Sequence, residues 1–109
     1  MSSRQRKRQI PPHDYLSHLM IGASDPEQVT IVTAAAEQGE MNAQFALGLI
    51  YAEGRGIEPS PARAYYWFSR AGEQGDNYAL TLRNVVQQEL SLEQIAAIEL
   101  ELAEGQTRQ

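Results

Sequence analysis

The chain has 109 residues, 42% of them hydrophobic, a size that fits one compact domain and leaves little room for a second. It contains no cysteine, so neither a disulfide framework nor a thiolate metal site is available, and we expect a reducing compartment, the cytoplasm. No stretch approaches the roughly 18 apolar residues that span a bilayer, so no membrane insertion is expected.

The formal net charge of −5 is unevenly distributed. Four of the nine basic residues lie within residues 4–8, namely Arg4, Arg6, Lys7 and Arg8. The rest of the chain contains the other five basic residues and all fourteen acidic residues. This acidic part would repel the phosphates of a nucleic acid. Residues 1–12 are predicted to be a disordered basic arm, which either adds solubility or binds an anionic partner.

A short helix is predicted over residues 14–21, with Leu16 and Leu19 on its apolar side. If this helix covers its neighbour only partly, its leucines would mediate self-association into a homo-oligomer or receive a partner.

Five further helices are predicted from capping residues, helical spacing of apolar side chains and terminating glycines. They run from Pro26 up to Gly39, from Met41 to Glu53, from Pro61 behind the Ser60 cap up to Gly75, from Asn77 to Leu90, and from the Ser91–Gln94 capping box up to Gly105. One helical domain is thus expected over residues 13–104, followed by a disordered tail over residues 105–109.

An internal repeat organises these helices. The tripeptide Glu-Gln-Gly at residues 37–39 returns at residues 73–75, and Ala43 returns as Ala79, all at an offset of 36 residues. Such a period is typical of solenoids, in which each hairpin buries its apolar face only by stacking on a neighbour. The expected fold is all-α, a short α/α solenoid of antiparallel helical hairpins with about five or six helices.

Residues 42–79 also carry a set of small, glycine and aromatic positions at characteristic spacings, namely Ala43, Leu47, Gly48, Tyr51, Gly54, Gly56, Ala64, Trp67, Ala71 and Gly75. This pattern resembles the Sel-one-like repeat family of the tetratricopeptide-like superfamily. One repeat is complete, at about 42–77, and the copies on both sides are partial. The resemblance implies a non-catalytic interaction scaffold, often bacterial, and no reaction chemistry.

Two neighbouring aromatic residues of the helix predicted to begin at Pro61 have different expected roles. Trp67 shares one arc with Ala64 and Phe68, which indicates a core residue. Tyr66 lies nearly opposite that arc, so it is either a partner contact or a ring covered by the amino-terminal helix.

The helix over residues 41–53 has apolar residues on more than one side, and a neighbouring hairpin is expected to cover the second side. If part of it stays open, an inner groove for a peptide or partner helix would be lined by Gln44, Leu49, Ala52 and Glu53.

Catalytic chemistry finds little support in the sequence. His13 and His18 are five residues apart, about 140° around a helix, whereas a shared metal-binding face requires a spacing of four. We therefore expect no enzyme activity, no metal and no cofactor.

Two functions stay open. The first is an adaptor that binds a protein of unknown identity through the groove, Tyr66 or an exposed end of the stack. The alternative is a nucleic-acid or anionic-surface accessory protein that acts through the basic arm.

Overall fold

The computed structural model describes residues 26–107, and these residues form five α-helices without any strand. The helices are α1 (Pro26–Glu37), α2 (Met41–Glu53), α3 (Pro61–Glu73), α4 (Asn77–Gln87) and α5 (Leu92–Thr107). The all-α fold predicted from the sequence is therefore confirmed. The helix predicted over residues 14–21 lies outside the described residues.

The two copies of the repeated tripeptide form the same turn. Gly39 and Gly75 have φ angles of 100° and 110°, a conformation that costs little only for glycine. After each glycine, the next amide donates a hydrogen bond of 3.2 Å to the carbonyl five residues earlier, the Schellman arrangement at a helix end. The 36-residue offset is thus a structural repeat, which relates α1 to α3 and α2 to α4.

Side-chain caps fix the starts of two helices as predicted. The Ser60 hydroxyl accepts a hydrogen bond of 3.1 Å from the Arg63 amide at the start of α3. Before α5, the Gln94 amide donates to Ser91 Oγ at 3.1 Å and the Ser91 amide donates to Gln94 Oε1 at 2.9 Å. The capping box is therefore confirmed.

Two helix ends differ from the prediction. Helix α4 ends at Gln87 rather than at Leu90, because the amides of residues 88–90 bond to carbonyls three residues back and tighten the last turn. Helix α5 continues past Gly105 to Thr107, since Gly105 does not adopt the positive φ that would end a helix. The predicted start of a disordered tail at residue 105 was therefore wrong for residues 105–107.

Helix α2 lies between two hydrophobic clusters. The first joins α1, α2 and Trp67 of α3, and its buried members are Val29, Ala36, Ala43, Ala46, Leu47, Ile50 and Trp67. The second joins α2 to α3, α4 and α5, and its buried members are Phe45, Ala64, Tyr65, Phe68, Ala71, Ala79, Val86, Ile98 and Leu102. The prediction that Trp67 is a core residue is confirmed, and the second side of α2 is covered only in part, at Phe45.

Helices α2 and α3 approach most closely at Gly48. A Cβ atom at this position would lie 2.5 Å from two ring atoms of Phe68, so only glycine allows the observed separation. A Cβ on Gly72 would lie 2.2 Å from Leu80 Cδ2. The Leu80 side chain thus occupies the space that a side chain at position 72 would need.

Helix α5 departs from the solenoid pattern. The connection from α4 spans residues 88–91, whereas residues 54–60 join α2 to α3. Helix α5 packs mainly on α3. Its side chains Ile98 and Leu102 are buried in the second cluster.

A hydrogen bond also attaches α5 to α3. The buried Tyr65 hydroxyl donates to Glu99 Oε2 at 2.5 Å. Burial of the phenol, together with this hydrogen bond and the Glu99 charge, raises the pKa of Tyr65 from 10.0 to about 12, against the opposing effect of Arg83.

Replacing Trp67 by alanine should cost about 3–5 kcal/mol of unfolding free energy, because the side chain is 4% exposed and fills the first cluster. Tyr66→Ala, at a half-buried site, should cost clearly less. Urea unfolding of both variants measures the difference. A larger loss for Tyr66→Ala would mean that the faces of α3 are assigned incorrectly.

Alkaline pH should weaken the attachment of α5. Because the folded pKa of Tyr65 is raised, its contribution to stability is complete below pH 10 and is lost as the pH rises towards 12. Phenolate absorbance should show one of the five tyrosines titrating late, and Tyr65→Phe should remove that step. Late titration that persists in Tyr65→Phe would contradict this assignment.

Candidate functional site

The exposed side of α2 carries three of the four residues predicted to line a groove. Leu49 is half-buried, and Ala52 and Glu53 are exposed, next to the exposed Asn42. The remaining circumference of α2 is largely buried in the two clusters. Within the described residues, this strip is therefore the most exposed part of α2.

Gln44 does not belong to this strip, and its prediction as a groove residue is corrected. The side chain is 0% exposed. Gln44 Nε2 donates to the Ala36 carbonyl at 3.1 Å, and Gln44 Oε1 accepts from Gln74 Nε2 at 2.9 Å. Gln74 Nε2 also contacts the Gly39 carbonyl at 2.8 Å. Gln44 thus links the two equivalent turns and has a structural role.

The exposed strip of α2 is repeated on α4. At the offset of 36 residues, Asn42 corresponds to Tyr78 and Leu49 corresponds to Val85. Tyr78 is 51% exposed and Val85 is 55% exposed. We call the surface formed by Asn42, Leu49, Ala52, Glu53, Tyr78 and Val85 the α2–α4 face. Its two α4 members were not predicted, although extending the repeat offset by one helix would have found them.

Aromatic contacts hold the two halves of this face together. The Phe45 ring lies 5.8 Å from the Tyr78 ring and 5.9 Å from the Phe68 ring, measured between centroids. These tilted arrangements are favourable for aromatic pairs. The position of Tyr78 is therefore fixed through Phe45 by the core of the α2–α3 hairpin.

Tyr66 lies on a different surface, the outward side of α3, and is half-buried. Its ring packs edge-on against Trp67, with centroids 4.9 Å apart at 88°. The guanidinium carbons of Arg63 and Arg70 lie 5.0 Å and 5.7 Å from the Tyr66 ring centroid. Tyr66 is thus half-buried and flanked by two cations.

Exposed apolar side chains also occur outside the α2–α4 face. Leu92 and Leu100 of α5 are 84% and 61% exposed, so α5 has apolar residues beyond its buried stripe. Ile31 of α1 is 57% exposed. Single exposed apolar residues are common on protein surfaces, whereas the α2–α4 face combines two, Tyr78 and Val85, with the half-buried Leu49.

Within residues 26–107, no group of three or more His, Asp or Glu is placed to hold a metal ion. In the same part of the chain, no helix combines the length and apolarity required to cross a membrane. Leu16, Leu19, both histidines and the basic arm residues Arg4, Arg6, Lys7 and Arg8 lie outside the described residues.

Comparison with known proteins identifies the central hairpin. The sequence model of the Sel1 repeat family matches residues 42–76, which comprise α2, α3 and the turn that follows. No solved structure matches the chain. Repeats of this family generally mediate protein–protein interaction. Residues 42–76 thus match the Sel1 repeat, and over this segment the chain is similar to Sel1-like repeat proteins.

Proposed function

We propose that this protein is a non-catalytic adaptor that binds a segment of another protein on the α2–α4 face. The supporting observation is that an aliphatic side chain recurs on this face at the repeat offset, half-buried Leu49 on α2 and exposed Val85 on α4, together with the exposed Tyr78. We further propose that it acts in the bacterial cytoplasm, which agrees with its lack of cysteine.

The chemistry of the face favours an extended or helical segment with apolar side chains. Tyr78 offers a rigid ring with a polar tip, the kind of side chain that is enriched at interaction hot spots. Leu49 and Val85 add aliphatic area on the two neighbouring helices. The acidic Glu53 and the exposed Glu89 follow at the carboxyl ends of these helices, which would favour basic residues at one end of the partner segment.

The Val85→Asp variant tests this proposal. A charge placed in an apolar contact should weaken partner binding by more than about tenfold, because the carboxylate would lose water without gaining a counter-charge. The matched control is Ile31→Asp, which introduces the same charge at an aliphatic β-branched residue of nearly equal exposure on α1. Photo-crosslinking in the source cells, followed by measured affinities for the captured protein, provides the comparison.

The expected result is that Ile31→Asp retains the partner and Val85→Asp loses it while both variants keep their helical circular dichroism. Equal binding by both variants, or equal loss in both, would contradict a docking role for the α2–α4 face. Failure of the wild type to capture any protein would contradict the adaptor function itself.

The alternative function, binding of nucleic acid or an anionic surface by the basic arm, predicts a different pattern. Binding through four clustered cations should fall steeply with added salt and vanish when residues 1–9 are deleted. Binding through the apolar α2–α4 face should survive both changes. Loss of the captured partner from the arm-deleted chain would favour the alternative.

A further inference from the structure

A row of three side chains, Arg63, Tyr66 and Arg70, follows the outward side of α3. Their spacings of three and four residues place them on one side of the helix, away from the buried Ala64 and Phe68. All three residues are half-buried. We call them the Arg–Tyr–Arg row.

Contacts within the row hold both guanidinium groups against aromatic rings. Arg63 lies 5.0 Å and Arg70 lies 5.7 Å from the Tyr66 ring centroid, and Arg70 lies 5.6 Å from that of Trp67. Arg70 Nη1 also donates to the Tyr66 hydroxyl at 2.9 Å. These contacts orient the two cations before any ligand arrives, which reduces the entropy that binding must overcome.

Most of the hydrogen-bonding capacity of these guanidinium groups is still available. A guanidinium has five N–H donors, and Arg70 forms no ion pair within the part of the chain that the structure describes. Arg63 Nη1 lies 3.7 Å from Glu101 Oε2, with both side chains substantially exposed, and such a pair contributes little. The two arginines of the row can therefore donate paired hydrogen bonds to carboxylates, the geometry that arginine favours.

The row is not repeated on α1. At the offset of 36 residues, α1 carries Glu27, Thr30 and Ala34 at the equivalent positions. The row is also unusual in its positive charge. Most charged residues within 26–107 are acidic, and two of the four arginines in this range belong to the row. An interaction with a negatively charged group explains both observations.

We propose that the Arg–Tyr–Arg row binds an acidic segment of a protein, with one carboxylate at each arginine and an apolar side chain against Tyr66. An acidic segment fits better than a nucleic acid, because a polyphosphate would have to pass the many carboxylates of the body. This site lies on α3 and does not depend on the α2–α4 face.

Trp67 makes the proposal directly measurable. It is the only tryptophan, and its ring contacts both Tyr66 and Arg70. The probe is a synthetic peptide of alternating glutamate and leucine, titrated into the full chain while tryptophan fluorescence is recorded. We expect a saturable change with the glutamate peptide and none with a glutamine–leucine peptide of equal length.

Three variants make the test specific. Arg70→Gln should weaken peptide binding about tenfold, the effect of losing one charge-assisted hydrogen-bonded contact. Arg55→Gln is the control, since it removes the same charge from a loop arginine that is hydrogen-bonded to Glu53. It should leave the affinity almost unchanged. Val85→Asp should also bind the peptide normally, so that failure of this site and failure of the α2–α4 face can be told apart.

Three results would overturn the proposal. The first is the absence of a fluorescence change with the wild type. The second is an equal loss of affinity in Arg70→Gln and Arg55→Gln, which would show that only net charge matters. The third is tighter binding of a single-stranded oligonucleotide of the same charge as the peptide that Arg70→Gln weakens and deletion of residues 1–9 does not, which would assign the row to nucleic acid.

Discussion

The close approach of α2 and α3 at Gly48 is the constraint on which the rest of the structure depends. The Phe68 ring occupies the space where any other residue would place its Cβ atom, so the two helices pack with almost no gap. Helix α1 packs on one side of this hairpin, and α4 and α5 pack on the other. The hairpin is also the segment that matches the Sel1 repeat, so the most repeat-like part of the chain is its structural centre.

The same contact reaches the surfaces proposed for binding. Phe68 contacts Phe45, and Phe45 contacts Tyr78, so a chain of three rings leads from the hairpin core to the α2–α4 face. Trp67, the next residue in α3, supports Tyr66 and the arginines beside it. Both surfaces are therefore presented by side chains whose positions the core determines, a property that lowers the entropic cost of binding.

The hairpin could be predicted to within a few residues because its determinants are local: the Ser60 cap, the helical apolar spacing, and glycines at positive φ. The packing of α5 on α3 could not be predicted, since it depends on which helix presents an apolar surface after the short connection. Gln44 was assigned to the groove because helical spacing gives the direction of a side chain but not its neighbours, and the turn that carries Gln74 covers it. Of the candidate site, the α2 strip was predicted in part. The 36-residue offset gives the corresponding positions on α4, but only the structure shows that Val85 is exposed there.

The most direct measurement compares Gly48→Ala with Gly105→Ala by urea unfolding. Both changes replace a helical glycine and should gain up to about 1 kcal/mol of helix propensity. At Gly105 a Cβ would meet no neighbouring heavy atom of the described chain within 4 Å, so this variant should be neutral or more stable. At Gly48 the methyl group would displace the Phe68 ring, and we expect a net loss of about 1–3 kcal/mol, together with altered Tyr78 signals in the NMR spectrum. A Gly48→Ala protein as stable as the wild type would contradict the role assigned to the α2–α3 contact.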